Sequence, residues 1–172
     1  MNAYSDYRSR IKSGDLIALT HYKWTSWYDL QVQAVRVFTQ SEYSHVGIAW
    51  EIGGRLFLIE SVAPFVRITP MSQLARDGFY HVPLDVPISD AELEFALAEV
   101  GTGAYSKWES VLAKLRRLPI GANHAWSCAE FTIWCRALSG VHLGDVATPS
   151  AVVRSAQDQG RPVYFVGGEV TP

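Results

Sequence analysis

The chain is short of cysteine, of clustered charge and of long apolar runs, and each shortage removes a class of protein. Two cysteines in 172 residues are too few for a disulfide framework. The seven helical steps from Cys128 to Cys135 would separate them by about 10 Å of rise, whereas disulfide Cα atoms lie within roughly 7 Å. On one helix they are free thiols. Neither cysteine belongs to paired Cys-x-x-Cys units, so structural zinc is not expected. Gly101-Thr102-Gly103 lacks the spacing of a phosphate-binding loop, and no cofactor is expected. The formal net charge is -2 and basic residues cluster only at Arg116-Arg117, which argues against nucleic acid or an acidic membrane surface as partner. No apolar run reaches bilayer-spanning length, so stable membrane insertion is not expected. The opening Met1-Asn2-Ala3-Tyr4-Ser5-Asp6 has no apolar run of the signal-peptide kind. A cytoplasmic location is therefore the default expectation, with release or export by another route left open. No repeat, linker or low-complexity tract interrupts the chain. Its 48% hydrophobic and 19% charged residues are ordinary for a globular protein, and one domain over 1–172 is expected.

The patterning indicates an α+β chain: an antiparallel sheet with helices packed on it. Strands are expected at 15–19, 46–50, 56–61, 66–69, 79–82 and 163–166, with 46–50 and 56–61 joined as a hairpin across Gly53-Gly54. Ser26 with Asp29 marks a helix start, and helical spacing runs to about Gln40. Ser89-Asp90-Ala91-Glu92 and Ser127-Cys128-Ala129-Glu130 both have the form of a capping box. The first opens a stripe of Leu93, Ala96, Leu97 and Val100, stopped by Gly101. The second opens a stripe of Phe131, Trp134, Cys135 and Leu138, closed by Gly140. A further helix fits Tyr105 to Leu118, and Thr148-Pro149 opens a last one.

Three residues carry the parts of a thiol nucleophile with its base and orienter: Cys128, His45 and Glu60. With Ser127 as N-cap, Cys128 is the first helical residue, at the positive end of the helix dipole, which favours thiolate. The alternative is a small buried apolar thiol, which fits Cys135 better than Cys128. A two-residue turn at Gly53-Gly54 pairs Ile52 with Arg55 and sets Gly47 opposite Glu60. Glu60 then becomes the diagonal neighbour of His45 on one sheet face, and Gly47 leaves the space between them open. The carboxylate holds one imidazole nitrogen and the other is left for the cysteine; the competing reading is a polar patch on the solvent face of a hairpin. His21 follows a strand and is a candidate to line a site, the alternative being a satisfied or surface histidine. His81, His124 and His142 are expected to be satisfied or surface histidines. Trp24, Trp27, Trp108 and Trp126 form either an apolar cleft or simply core. Glu130 is expected to cap and not to catalyse.

The motifs Gly14-Asp15-Leu16-Ile17, Ser44-His45-Val46-Gly47-Ile48, Glu60-Ser61, Gly103-Ala104-Tyr105, Trp126-Ser127-Cys128-Ala129-Glu130-Phe131 and Thr148-Pro149 span most of the chain. In order and spacing they resemble the circularly permuted branch of the NlpC-type papain-like cysteine peptidases, related to the lecithin-retinol acyltransferase group. The resemblance implies a permuted papain-like fold with a barrel-like antiparallel sheet against helices, and a nucleophile at a helix N-terminus. It implies Cys128 as nucleophile, His45 as base and Glu60 as orienter. Tyr105 and His21 are the candidates for substrate binding or a second oxyanion donor. Relatives often carry an aspartate after the tyrosine of the middle motif, where this chain has Ser106.

The leading expectation is a cysteine peptidase or amidase acting on an amide bond, with cell-wall peptides as one candidate substrate. The alternatives are an acyltransferase or thioesterase acting on lipid or ester substrates, and a non-catalytic binding module on the same scaffold. A peptide or acyl small molecule is the expected partner. The sequence carries no signal of oligomeric state.

Overall fold

The computed structural model describes residues 2–20, 42–62, 64–101 and 126–167. Along these the chain runs β1 (Asn2–Ala3), α1 (Tyr4–Tyr7), a 3-10 turn (Arg8–Arg10), β2 (Leu16–Leu19), β3 (His45–Ile52), β4 (Arg55–Val62), β5 (Phe65–Pro70), α2 (Met71–Leu74), β6 (Phe79–Val82), α3 (Asp90–Glu99), α4 (Cys128–Leu138), α5 (Pro149–Asp158) and β7 (Tyr164–Gly167). The expected helices at 26–40 and 105–118 lie outside the described residues.

The strands form one sheet in the order β1-β7-β6-β2-β3-β4-β5. Six are antiparallel to their neighbours, and the two-residue β1 pairs parallel with β7. The α+β class is as expected, but the sheet is open and not the expected barrel. Closure requires the two edge strands to exchange main-chain hydrogen bonds. Here the outer edge of β5 is met instead by the end of α3, where Val66 bridges Val100 and Gly101 N–H donates to the Val66 carbonyl at 2.9 Å.

Alternation along the strands gives the sheet two apolar faces. On one, Ile17, Ala49, Leu58 and Phe79 pack with Tyr4, Tyr7 and Met71. On the other, Ile48, Ile59 and Val66 pack with Trp126, Phe131 and Cys135, while Leu16, Ala18 and Val46 pack with Ala129, Ile133, Val152 and Val153. The helix that begins with Cys128 therefore lies across the centre of one face.

The predicted helical stripes are displaced by a buried ion pair. Glu92 and Arg136 are 1% and 0% exposed, and Arg136 Nη1 donates to Glu92 Oε2 at 2.6 Å. Glu92 is thus not a capping-box partner. Ser89 Oγ accepts from Glu92 N at 3.2 Å, but Ser89 N–H donates to Ser139 Oγ. With Glu92 and Arg136 turned inward, Leu97, Trp134 and Leu138 face outward, each about 40% exposed. The capping box at Ser127 and the Thr148 cap with Pro149 in the first turn form as expected.

Candidate active site

Cys128 is held by local chemistry that the sequence announces. Ser127 has extended backbone (φ -74°, ψ 160°) and its Oγ accepts from Glu130 N at 3.2 Å, while Glu130 Oε2 accepts from Ser127 N at 2.9 Å. This reciprocal cap starts the helix at Cys128 and lets the thiol sit in the first turn. Thr132 Oγ1 donates back to the Cys128 carbonyl at 2.8 Å. The preceding turn is tied to the sheet, because the buried Ser61 hydroxyl donates to the Trp126 carbonyl at 2.7 Å. Trp126 itself is core, packed on Phe131, and is not cleft lining.

The β3–β4 hairpin has the register that the two-glycine turn dictates. Gly53 and Gly54 both take positive φ, +57° and +72°, the requirement of a tight two-residue hairpin turn. Ile52 pairs with Arg55, and the ladder runs through Ile48 opposite Ile59; its continuation sets Gly47 opposite Glu60. The diagonal contact follows, with His45 Nε2 donating to Glu60 Oε2 at 2.6 Å. Nε2 is thereby occupied, and Nδ1 remains for Cys128. A Cβ on Gly47 would lie 2.8 Å from the Ile59 carbonyl oxygen and 2.9 Å from Leu58 Cδ1. Gly47→Ala is therefore expected to destabilise the chain by about 1–3 kcal/mol and to loosen the His45–Glu60 contact. Denaturant unfolding together with Cys128 alkylation checks both effects.

The three groups perturb one another in the sense that an ion pair requires. Burial lowers the pKa of His45, but the facing Cys128 and then Glu60 more than reverse this, from 6.5 to about 10. Burial opposes the charge of Glu60, yet His45, Thr69 and Arg67 hold its carboxyl down, from 4.5 to about 2. Burial raises the thiol of Cys128, and the charge and hydrogen bond of His45, with the N–H groups of Val46 and Ala129, bring it below its ordinary value. Cys135 is pushed the other way, by burial first and then by the charge of Glu92. Both cysteines are free thiols. The arrangement favours thiolate and imidazolium at one cysteine and suppresses thiolate at the other.

The structure brings together Cys128, His45 and Glu60. Tyr105 and His21 lie outside the described residues, as do His124, Trp24, Trp27 and Trp108. His142 is exposed on a loop. His81 is a satisfied core histidine, with Nε2 2.9 Å from Asp15 Oδ2 and Nδ1 3.0 Å from Tyr7 Oη. Asp15 also accepts from the N–H groups of Lys12 and Leu84, so the Gly14-Asp15 motif knots the start of β2 to the end of β6. Two site residues escaped the sequence reading. Thr69 Oγ1 and Arg67 Nε donate to Glu60 Oε1 at 2.6 and 2.9 Å. The signal was present in the tight β4–β5 connection, since Val62 opposite Phe65 forces Arg67 opposite Glu60.

No family model and no curated protein matches the sequence. Among solved structures the chain is similar to one described as "metalloprotein yiiX from Escherichia coli O157:H7, DUF1105", at 16% identity, with a TM-score of 0.56, over 92% of this chain and 98% of that one. At that identity the likeness is one of fold. Among the described residues there is no group of three or more His, Cys, Asp or Glu placed to hold a metal ion. Nor does any helix among them have the length and apolarity to cross a membrane.

Proposed function

We propose that this protein is a cysteine hydrolase of the permuted papain-like type, cleaving an amide bond with Cys128 as nucleophile, His45 as acid and base, and Glu60 as orienter. One observation carries this reading: a carboxylate, an imidazole and a helix-start thiol in unbroken contact, each displaced in pKa in the direction the chemistry needs. The Cys128 thiolate attacks the carbonyl carbon, forming the C–S bond. The proton on His45 passes to the leaving nitrogen as the C–N bond breaks, leaving an acyl-enzyme. Water then gives a proton to His45 and its oxygen to the acyl carbon. The C–S bond breaks, the acid departs and the ion pair is restored. The Cys128 backbone N–H, at the first helical position, has no carbonyl four residues back within its helix and is the natural oxyanion donor. Thr69 and Arg67, on the far oxygen of Glu60, leave its other oxygen to His45.

A panel of peptide amides, cell-wall peptide fragments and acyl esters tests the proposal. Turnover of an amide that falls by about 1,000-fold or more in Cys128→Ala is the expected result. Undiminished amide turnover in that variant sinks it. Turnover of esters with none of amides moves the assignment to acyl transfer.

A further inference from the structure

The carboxylate that holds His45 with one oxygen is itself held by the other. Glu60 is 1% exposed and projects from β4 between two strands. From β3, His45 takes Oε2; from β5, Thr69 and Arg67 both donate to Oε1. Registers place all four on one face of the sheet, since Glu60 pairs with Arg67 and Leu58 with Thr69. Among the described residues, the charged or titratable groups facing Glu60 are therefore His45 and Arg67, with Cys128 of α4 reached through His45. A carboxylate bonded at one oxygen alone can turn about its terminal torsion, which has a broad, roughly two-fold profile. With two donors on Oε1, that turn would break two hydrogen bonds and is suppressed.

We propose that Thr69, assisted by Arg67, is a positioning residue for the catalytic pair: it locks Glu60 ionised with Oε2 toward His45, and so sets the reactivity of Cys128. The proposal rests on the hydrolase reading above. Thr69 is the stronger of the two. Its hydroxyl lies 2.6 Å from Oε1 in a side chain only 8% exposed, whereas the Arg67 side chain is 55% exposed and open to competition from water. Neither residue touches the sulfur or the imidazole, so each acts through Glu60.

The test is the pH dependence of iodoacetamide alkylation at Cys128, read by peptide mapping, with Cys135 as internal control. Thr69→Val, which keeps the shape and removes the hydroxyl, is expected to move the midpoint up by about one pH unit. That corresponds to roughly tenfold slower alkylation below the midpoint. Thr69→Ser should restore the wild-type profile, and Arg67→Gln should shift it in the same direction by less. In a Glu60→Gln background, Thr69→Val should add nothing, because its route to His45 is already gone. A folded Thr69→Val protein with the wild-type profile overturns the proposal, as does an undiminished shift in the Glu60→Gln background. Should Thr69→Val fail to fold, Arg67→Gln decides: an unchanged profile overturns the clamp. Failure of the hydrolase reading looks different, because Cys128 would then already match Cys135 in the wild-type protein.

Discussion

His45→Ala is expected to slow alkylation of Cys128 at pH 6.5 by about 100-fold or more. In the wild-type protein the thiol is buried, which alone would raise its pKa, and the positive imidazole is the main counterweight. With His45 gone, the N–H groups of Val46 and Ala129 remain against that burial. The thiol pKa then rises, because burial is no longer offset by the imidazolium, and little of it is thiolate at pH 6.5. The sign with pH follows from the two partners. The folded pKa of His45 is raised from 6.5 to about 10, so its stabilising contribution is full below 6.5 and is lost as pH rises through about 10. That of Glu60 is lowered from 4.5 to about 2, so its contribution is full above 4.5 and is lost as pH falls through about 2. The wild-type protein should therefore alkylate readily at Cys128 in mildly acidic solution, where Cys135, its thiol pushed up by burial, should not react. Equal reactivity of Cys128 and Cys135 there would defeat both the ion pair and the hydrolase built on it.

Arg136→Ala is expected to cost about 3–5 kcal/mol of stability, the usual loss when one partner of a buried ion pair is removed. In a chain of this size the thermal midpoint falls by roughly 10 °C or more. The guanidinium is fully buried, donating to Glu92 Oε2 at 2.6 Å and to the Val86 carbonyl at 2.7 Å. Ser139 Oγ donates to the same oxygen of Glu92. Gly14 sits directly against this joint: it has a φ of +100°, and a Cβ there would lie 2.5 Å from the Val86 carbonyl oxygen and 3.0 Å from Arg136 Nη1. Removing the guanidinium strands the Glu92 carboxylate in the core between α3 and α4. Burial already raises the pKa of Glu92 despite Ser139 and Arg136. In the variant it should rise further, so the deficit should be larger at pH 7 than at pH 5. Paired replacement by apolar residues, Arg136→Met with Glu92→Leu, should recover most of the loss. Calorimetry at the two pH values reads all of this, and a midpoint within about 2 °C of wild type for Arg136→Ala would refute it.

Much of the candidate site was legible because its parts are local. A two-glycine turn determines which residues of β3 and β4 oppose one another, and the alternation of the strands then sets His45 and Glu60 on one face. Ser127 and Glu130 start a helix at Cys128 whatever surrounds it. The clamp on Glu60 was less visible. Arg67 and Thr69 are ordinary β5 residues until the β4–β5 pairing sets them beside a carboxylate. The helical stripes failed for a related reason. Apolar periodicity assumes that charge faces water, and Glu92 with Arg136 reverses that assumption by pairing with each other inside. The expected barrel failed because the outer edge of β5 is taken by Val100 and Gly101, a pairing between segments far apart in sequence.

The sequence by itself determined six of the seven strands, the capping box at Ser127, the Thr148 cap, the hairpin register and which residues were candidates for catalysis. The strands, caps and register depend on interactions within about fifteen residues, where turn geometry and side-chain period leave few alternatives. Only the tertiary structure decided that the helix start carrying Cys128 meets the first residue of β3, that Glu60 is gripped from β5, that the sheet stays open and that a charged pair lies in the core. Those outcomes depend on which surfaces pack together, a choice made by burial and hydrogen-bond satisfaction across the whole chain.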